Sequence, residues 1–131
     1  MGLIYLDSCL LIYFVEEHSK LDQAVASAMA SSARGGIAIS PLVKCECLVG
    51  PLRRRDRALG DLYRDVFKQF VLLDMPEPVY LRAAELRAHA GLKTADALHL
   101  ACAQHHRCEA LWTNDGRLNK ASRGVARNVL R

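Results

Sequence analysis

Apolar residues fall along this chain in two kinds of block. The first is a short uninterrupted run, as in Leu3-Ile4-Tyr5-Leu6, Ile37-Ala38-Ile39, Val71-Leu72-Leu73 and Ala110-Leu111-Trp112. Runs of this length that do not alternate with polar residues predict strands buried on both faces. The second kind recurs at three and four residues, the spacing of one helix face. Leu59, Leu62, Tyr63, Val66, Phe67 and Phe70 form such a stripe, and Val79, Ala83, Leu86 and Ala90 form another.

Start and stop signals place the remaining helices. Ser8 is a candidate cap for a helix carrying Leu10, Leu11, Tyr13, Phe14 and Val15. Ser19-Lys20-Leu21-Asp22 has capping-box spacing, with Asp22 in the place of the usual Glu or Gln, ahead of an Ala-rich helix that Gly35-Gly36 ends. Ser40-Pro41 supplies an N-cap and a proline at the first helical position, which puts Glu46 in the second turn. Met75-Pro76-Glu77-Pro78 reads as a turn, Gly91 as a helix stop, and Thr94 as the cap of a helix running to about His106. A short fifth strand is expected within residues 125–130. Strands separated by helices at this spacing imply βαβ units. The expected fold is therefore α/β, a three-layer α/β/α sandwich around a parallel sheet of four to five strands, with residues 1–131 as a single domain.

Composition narrows the picture. The 131 residues are 51% hydrophobic, which describes a globular chain rather than a disordered one. No apolar run approaches the roughly 18 residues needed to cross a bilayer, so no membrane partner and a cytoplasmic location are expected. Five cysteines, an odd number in a chain rich in helix, predict reduced thiols rather than a disulfide framework. The formal charge of +4 suits a polyanionic partner without identifying one.

The chemistry lies in the acids. Of the fourteen acidic residues most sit on helix faces, but four fall elsewhere. Asp7 ends the first strand and Asp115 follows the fourth, while Glu46 and Asp96 lie in the early turns of the helices beginning near Pro41 and Thr94. In an open parallel sheet, strand C-termini and helix N-termini gather along one edge, where the ligand crevice forms. Four like charges gathered there would raise one another's pKa values unless a cation is present. Oxygen-only donors favour Mg²⁺ or Mn²⁺, which suits activation of water and charge stabilisation at phosphorus. Taken singly, Asp7 can be read as a cap, Asp115 as a turn residue and Asp96 as a favourable charge at a helix N-terminus. Glu46 resists such a reading, because it stands between Cys45 and Cys47 in an apolar helix segment where an unpaired charge is costly.

The residues around these acids resemble the PIN-domain nucleases, and within them the VapC-like toxins of toxin–antitoxin pairs. The likeness rests on Ile4-Tyr5-Leu6-Asp7-Ser8, Glu46-Cys47-Leu48-Val49-Gly50, the run Leu92-Lys93-Thr94-Ala95-Asp96-Ala97-Leu98-His99-Leu100-Ala101, and Thr113-Asn114-Asp115, in family order over almost the whole chain. It implies a Mg²⁺ (or Mn²⁺) site built from Asp7, Glu46, Asp96 and Asp115, with Thr113, Ser8 and Asn114 as supporting polar groups. It also implies cleavage of single-stranded RNA leaving a 5′-phosphate, and an antitoxin that occupies the acidic groove. A homodimer is the expected assembly. The mild departures are Cys9, Cys45 and Cys47 beside the acids and the basic end at residues 123–131.

Other signals carry less. Cys102, His105, His106 and Cys108 lack the two spaced pairs of a structural zinc site and read as a helix end. His99, one turn beyond Asp96, reads as a packed or hydrogen-bonded core histidine, since a metal-assisted hydrolysis needs no histidine base. Arg53, Arg54 and Arg55 read equally well as a solvated joint or as contacts to RNA phosphates. The apolar helix segment 10–15 reads first as core, although a run apolar all round can also leave one face for a partner. Two rival classes remain: a PIN-like domain that binds RNA or protein without cutting, and a phospho-accepting receiver domain. The intact acid set argues against the first. The second lacks an acidic pair after the first strand and finds only Asp74 near the third.

Overall fold

The computed structural model describes residues 2–16, 36–113 and 126–128. The Ser19 capping box, its Ala-rich helix, Asn114 and Asp115 lie outside the described residues. Chain order runs β1 (Ile4–Leu6), α1 (Ser8–Glu16), β2 (Ile37–Ile39), α2 (Pro41–Arg53), α3 (Arg57–Phe67), β3 (Val71–Leu72), α4 (Glu77–Ala90), α5 (Thr94–His105), β4 (Ala110–Thr113) and β5 (Ala126–Asn128).

The five strands form one sheet in the order β3-β2-β1-β4-β5, and every neighbouring pair is parallel. Parallel neighbours need crossovers, and crossovers of this kind are right-handed. The chain steps from β1 out to β3 in one direction and then returns past β1 to β4. That reversal puts α1, α2 and α3 on one face of the sheet and α4 and α5 on the other, giving the three layers expected. It also places a topological switch point between β1 and β4, where such sheets open a crevice at their C-terminal edge.

The two strands flanking that point are the most deeply packed. Ile4, Tyr5 and Leu6 of β1 and Ala110, Leu111, Trp112 and Thr113 of β4 are all buried, as continuous apolar runs covered on both sides should be. Their register pairs Leu6 with Trp112, and the Asp7 amide donates to the Trp112 carbonyl at 3.0 Å. The chain therefore leaves β1 at Asp7 beside the end of β4.

Several local expectations change. β3 is an exposed edge rather than a buried strand, with Val71 and Leu72 half open, because its place at the end of the sheet is set by topology and not by its own residues. Helix α1 starts at Ser8 itself, with the Asp7 carbonyl accepting from the Leu11 amide, so Ser8 is inside the helix and its hydroxyl is free to point elsewhere. Helix α5 begins at Thr94, and Lys93, not Thr94, holds the cap position without a side-chain cap bond. Helix α3 stops at Phe67, leaving Phe70 in the approach to β3 and Leu62 on the open side of the stripe. Ser40 does cap α2, accepting from the Val43 amide at 3.4 Å, and Gly91 ends α4 in the left-handed region at φ 67°. Arg55 takes that same region just past α2, so the arginine joint makes a tight turn with its backbone.

Candidate active site at the sheet switch point

Asp7 is carried to the C-terminal edge by β1 and is 4% exposed. A carboxylate this buried must find donors. Thr113 Oγ1, at the end of β4, donates to Asp7 Oδ2 at 2.7 Å, and Ser8 Oγ lies 3.3 Å from Asp7 Oδ1. The same Ser8 hydroxyl lies 2.9 Å from Glu46 Oε1, and so bridges the first strand's acid to the acid of α2. The residue read as a cap is therefore a link between two carboxylates.

Glu46 reaches this edge from the second turn of α2. Its Oε1 is also 2.5 Å from His99 Nε2, and that nitrogen lies 3.7 Å from Asp7 Oδ1. One oxygen or nitrogen from each of Asp7, Glu46 and His99 falls within 4.8 Å of the others. Among the described residues this is the one group of acids, histidines or cysteines arranged to surround a cation. Partial burial alone would raise the Glu46 pKa, but the hydrogen bond and charge of His99 and the bond from Ser8 outweigh it and hold the group below its usual value. The mutual repulsion expected from the acids is thus answered at Glu46 by an imidazole.

Asp96 lies in the first turn of α5, half-buried and one turn before His99, but it is not one of the three groups that converge most tightly. Asp7 and Glu46 are brought together, Asp96 lies three residues before His99 on the same helix, and Asp115 and Asn114 lie outside the described residues. His99 is 1% exposed and hydrogen-bonded, as its apolar neighbours suggested. Its partner was not legible from those neighbours. The available signal was spacing: three residues after Asp96, it shares that acid's helix face.

The cysteines and the second histidine group play no part in the cluster. None of the five cysteines is in a disulfide, and burial pushes Cys47 and Cys102 up to about 12. His106 Nε2 bonds the Asp74 carbonyl at 2.8 Å, closing α5 onto the segment after β3. Arg54 pairs with Glu16 at 3.1 Å, while Arg53 and Arg55 are exposed. None of the helices described is long and apolar enough to cross a membrane.

The donor set fits a hard divalent ion, since one or two convergent carboxylates are what Mg²⁺ takes from protein before water and phosphate complete its shell.

The chain is thus an open, parallel α/β/α domain with acids at its switch point, and comparison with known families makes the assignment. The PIN domain family model matches residues 4–124, and the chain belongs to that family. No curated protein matches it in sequence. Among solved structures it is similar to a toxin–antitoxin complex from Klebsiella pneumoniae, at 22% identity and TM-score 0.79 over 96% of this chain and 97% of that one. It is also similar to VapBC2 from Rickettsia felis bound to a DNA fragment from their promoter, at 18% identity and TM-score 0.78 over 96% and 98%. A third is VapC20 of Mycobacterium tuberculosis, a sarcin–ricin loop cleaving toxin, at 13% identity and TM-score 0.74 over 90% and 94%. Likeness at these identities is a likeness of fold.

The Thr113 hydrogen bond is directly testable. Thr113→Val keeps the shape and deletes the donor to a buried carboxylate, which should cost about 1–3 kcal/mol. Urea unfolding at neutral pH reads this, and a variant as stable as the wild type would show that the hydroxyl does not hold Asp7.

Proposed function

We propose that this chain is a metal-dependent endoribonuclease cleaving single-stranded RNA, and that it is the toxin of a toxin–antitoxin pair. The observation that carries the proposal is the meeting of Asp7 and Glu46, from β1 and α2, with Ser8 bonded to both. Membership of the PIN family and the toxin–antitoxin complexes among the similar structures support it.

In this reading Asp7, Glu46, Asp96 and Asp115 hold Mg²⁺ or Mn²⁺. The ion, when bound, supplies charge stabilisation at the scissile phosphate and acidifies the attacking water. The protein's own part is positional. Thr113 and Ser8 fix Asp7 by one oxygen each, and Ser8 ties Glu46 to it, so the carboxylates are oriented before substrate arrives. Asn114 completes the polar support. Arg53, Arg54 and Arg55 meet RNA phosphates, with Arg54 already committed in part to Glu16. The antitoxin covers the acid edge and the partly exposed Ile12, Tyr13 and Phe14 of α1. The toxin works in the cytoplasm as a homodimer.

Cleavage of single-stranded RNA should require Mg²⁺ or Mn²⁺, stop with EDTA, and fall about 100-fold or more in Asp7→Asn and in Glu46→Gln, both folded. Metal-dependent cutting at the wild-type rate by both variants would overturn the assignment. The arginines answer to a separate measurement. Removing one cation that meets a phosphate of single-stranded RNA flattens the slope of log affinity against log salt by roughly 0.7. Arg53→Ala with Arg55→Ala should show about twice that change, and an unaltered slope would make the joint purely structural.

A further inference from the structure

The hydrogen bonds at Glu46 continue inward. His99 Nδ1 lies 2.7 Å from the Tyr5 hydroxyl, and that hydroxyl lies 2.7 Å from Ser40 Oγ. Tyr5, Ser40 and His99 are each at most 1% exposed. Ser40 is also the N-cap of α2, the helix that carries Glu46. The chain of hydrogen bonds therefore closes on itself: from the start of α2 through β1 and α5 and back to the side chain in the second turn of α2.

The direction of donation follows from the groups. Glu46 is a carboxylate and can only accept, so His99 Nε2 carries the proton between them. On the far side of the ring one proton joins Nδ1 to the Tyr5 hydroxyl and another joins that hydroxyl to Ser40 Oγ, the donor of each pair being set by the charge of the ring. Burial holds the Tyr5 phenol well above its ordinary pKa, so it keeps its proton. Ser40 Oγ is left to accept the Val43 amide, as observed.

A ring nitrogen that carries the proton of this bond has no in-plane lone pair left for a metal ion. Both observed bonds to Glu46, from His99 and from Ser8, land on Oε1. We infer that Ser40, Tyr5 and His99 form a buried positioning relay that fixes the Glu46 carboxylate by Oε1 and leaves Oε2 to the divalent cation, His99 itself being no ligand. This inference rests on the metal site proposed above.

The test uses the full chain and Mn²⁺ as the probe. Long-range ¹H–¹⁵N spectra of the metal-free protein should show His99 protonated on Nε2, and a ring protonated on Nδ1 alone would overturn the relay. Mn²⁺ binding, followed by electron paramagnetic resonance and calorimetry, should weaken about 10-fold or more in His99→Leu. His99→Gln, whose amide can donate to Glu46, should recover most of that loss. Tyr5→Phe is isosteric in the core and should weaken binding several-fold with the fold kept, which tests the relay even where leucine in place of the buried histidine unfolds the chain. Wild-type affinity in Tyr5→Phe and in folded His99→Leu would overturn it, as would a spin-echo signal from an imidazole nitrogen bound directly to Mn²⁺. Failure of the wild-type protein to bind Mn²⁺ would instead contradict the proposed metal site.

Discussion

Asp7 is a carboxylate sealed almost completely from water at the end of the central strand, and the architecture around it follows from that. A charge so placed is expensive unless donors meet it. They come from both sides of the switch point: Thr113 from β4, Ser8 from the first turn of α1. The parallel register that pairs Leu6 with Trp112 is what brings Thr113 into reach. A slip of one residue would turn Asp7 to the other face and strand its charge. The same position ties the acid to function, since the C-terminal edge at the switch point is where an open parallel sheet admits ligands.

Glu46 is handled differently. It is more open than Asp7, so solvent shares in its stabilisation, yet its orientation is fixed more completely. Ser8 and His99 both hold Oε1, and His99 is held in turn from the core. The two acids thus divide the work. Asp7 is immobilised from β4 and α1, and Glu46 is aimed by side chains from α1 and α5. Such division is useful in a metal site, where ligand direction matters as much as ligand identity.

Much of this was legible in the sequence where local rules govern. Asp7 and Glu46 stood out because each falls at an element boundary or in an apolar setting that an idle charge would not occupy. The cap at Ser40 and the stop at Gly91 followed from residue type. The failures share one cause, which is that partners distant in the chain are invisible locally. Ser8 has the chemistry of a cap, but its hydroxyl finds Glu46 once α1 and α2 pack together. Val71 and Leu72 look like core, and become an edge only through the strand order. His99 was correctly read as buried and bonded, but nothing near it in sequence names Glu46, Tyr5 or the closed circuit through Ser40.

The central claim is that Asp7 and Glu46 together face a divalent cation. Anomalous diffraction from crystals of the protein soaked in Mn²⁺ addresses this without relying on turnover. The account predicts a peak within bonding distance of a carboxylate oxygen of Asp7 and of Glu46, with His99 still on Glu46 and not on the ion. A well-occupied peak elsewhere, with none between these two acids at saturating Mn²⁺, would contradict it.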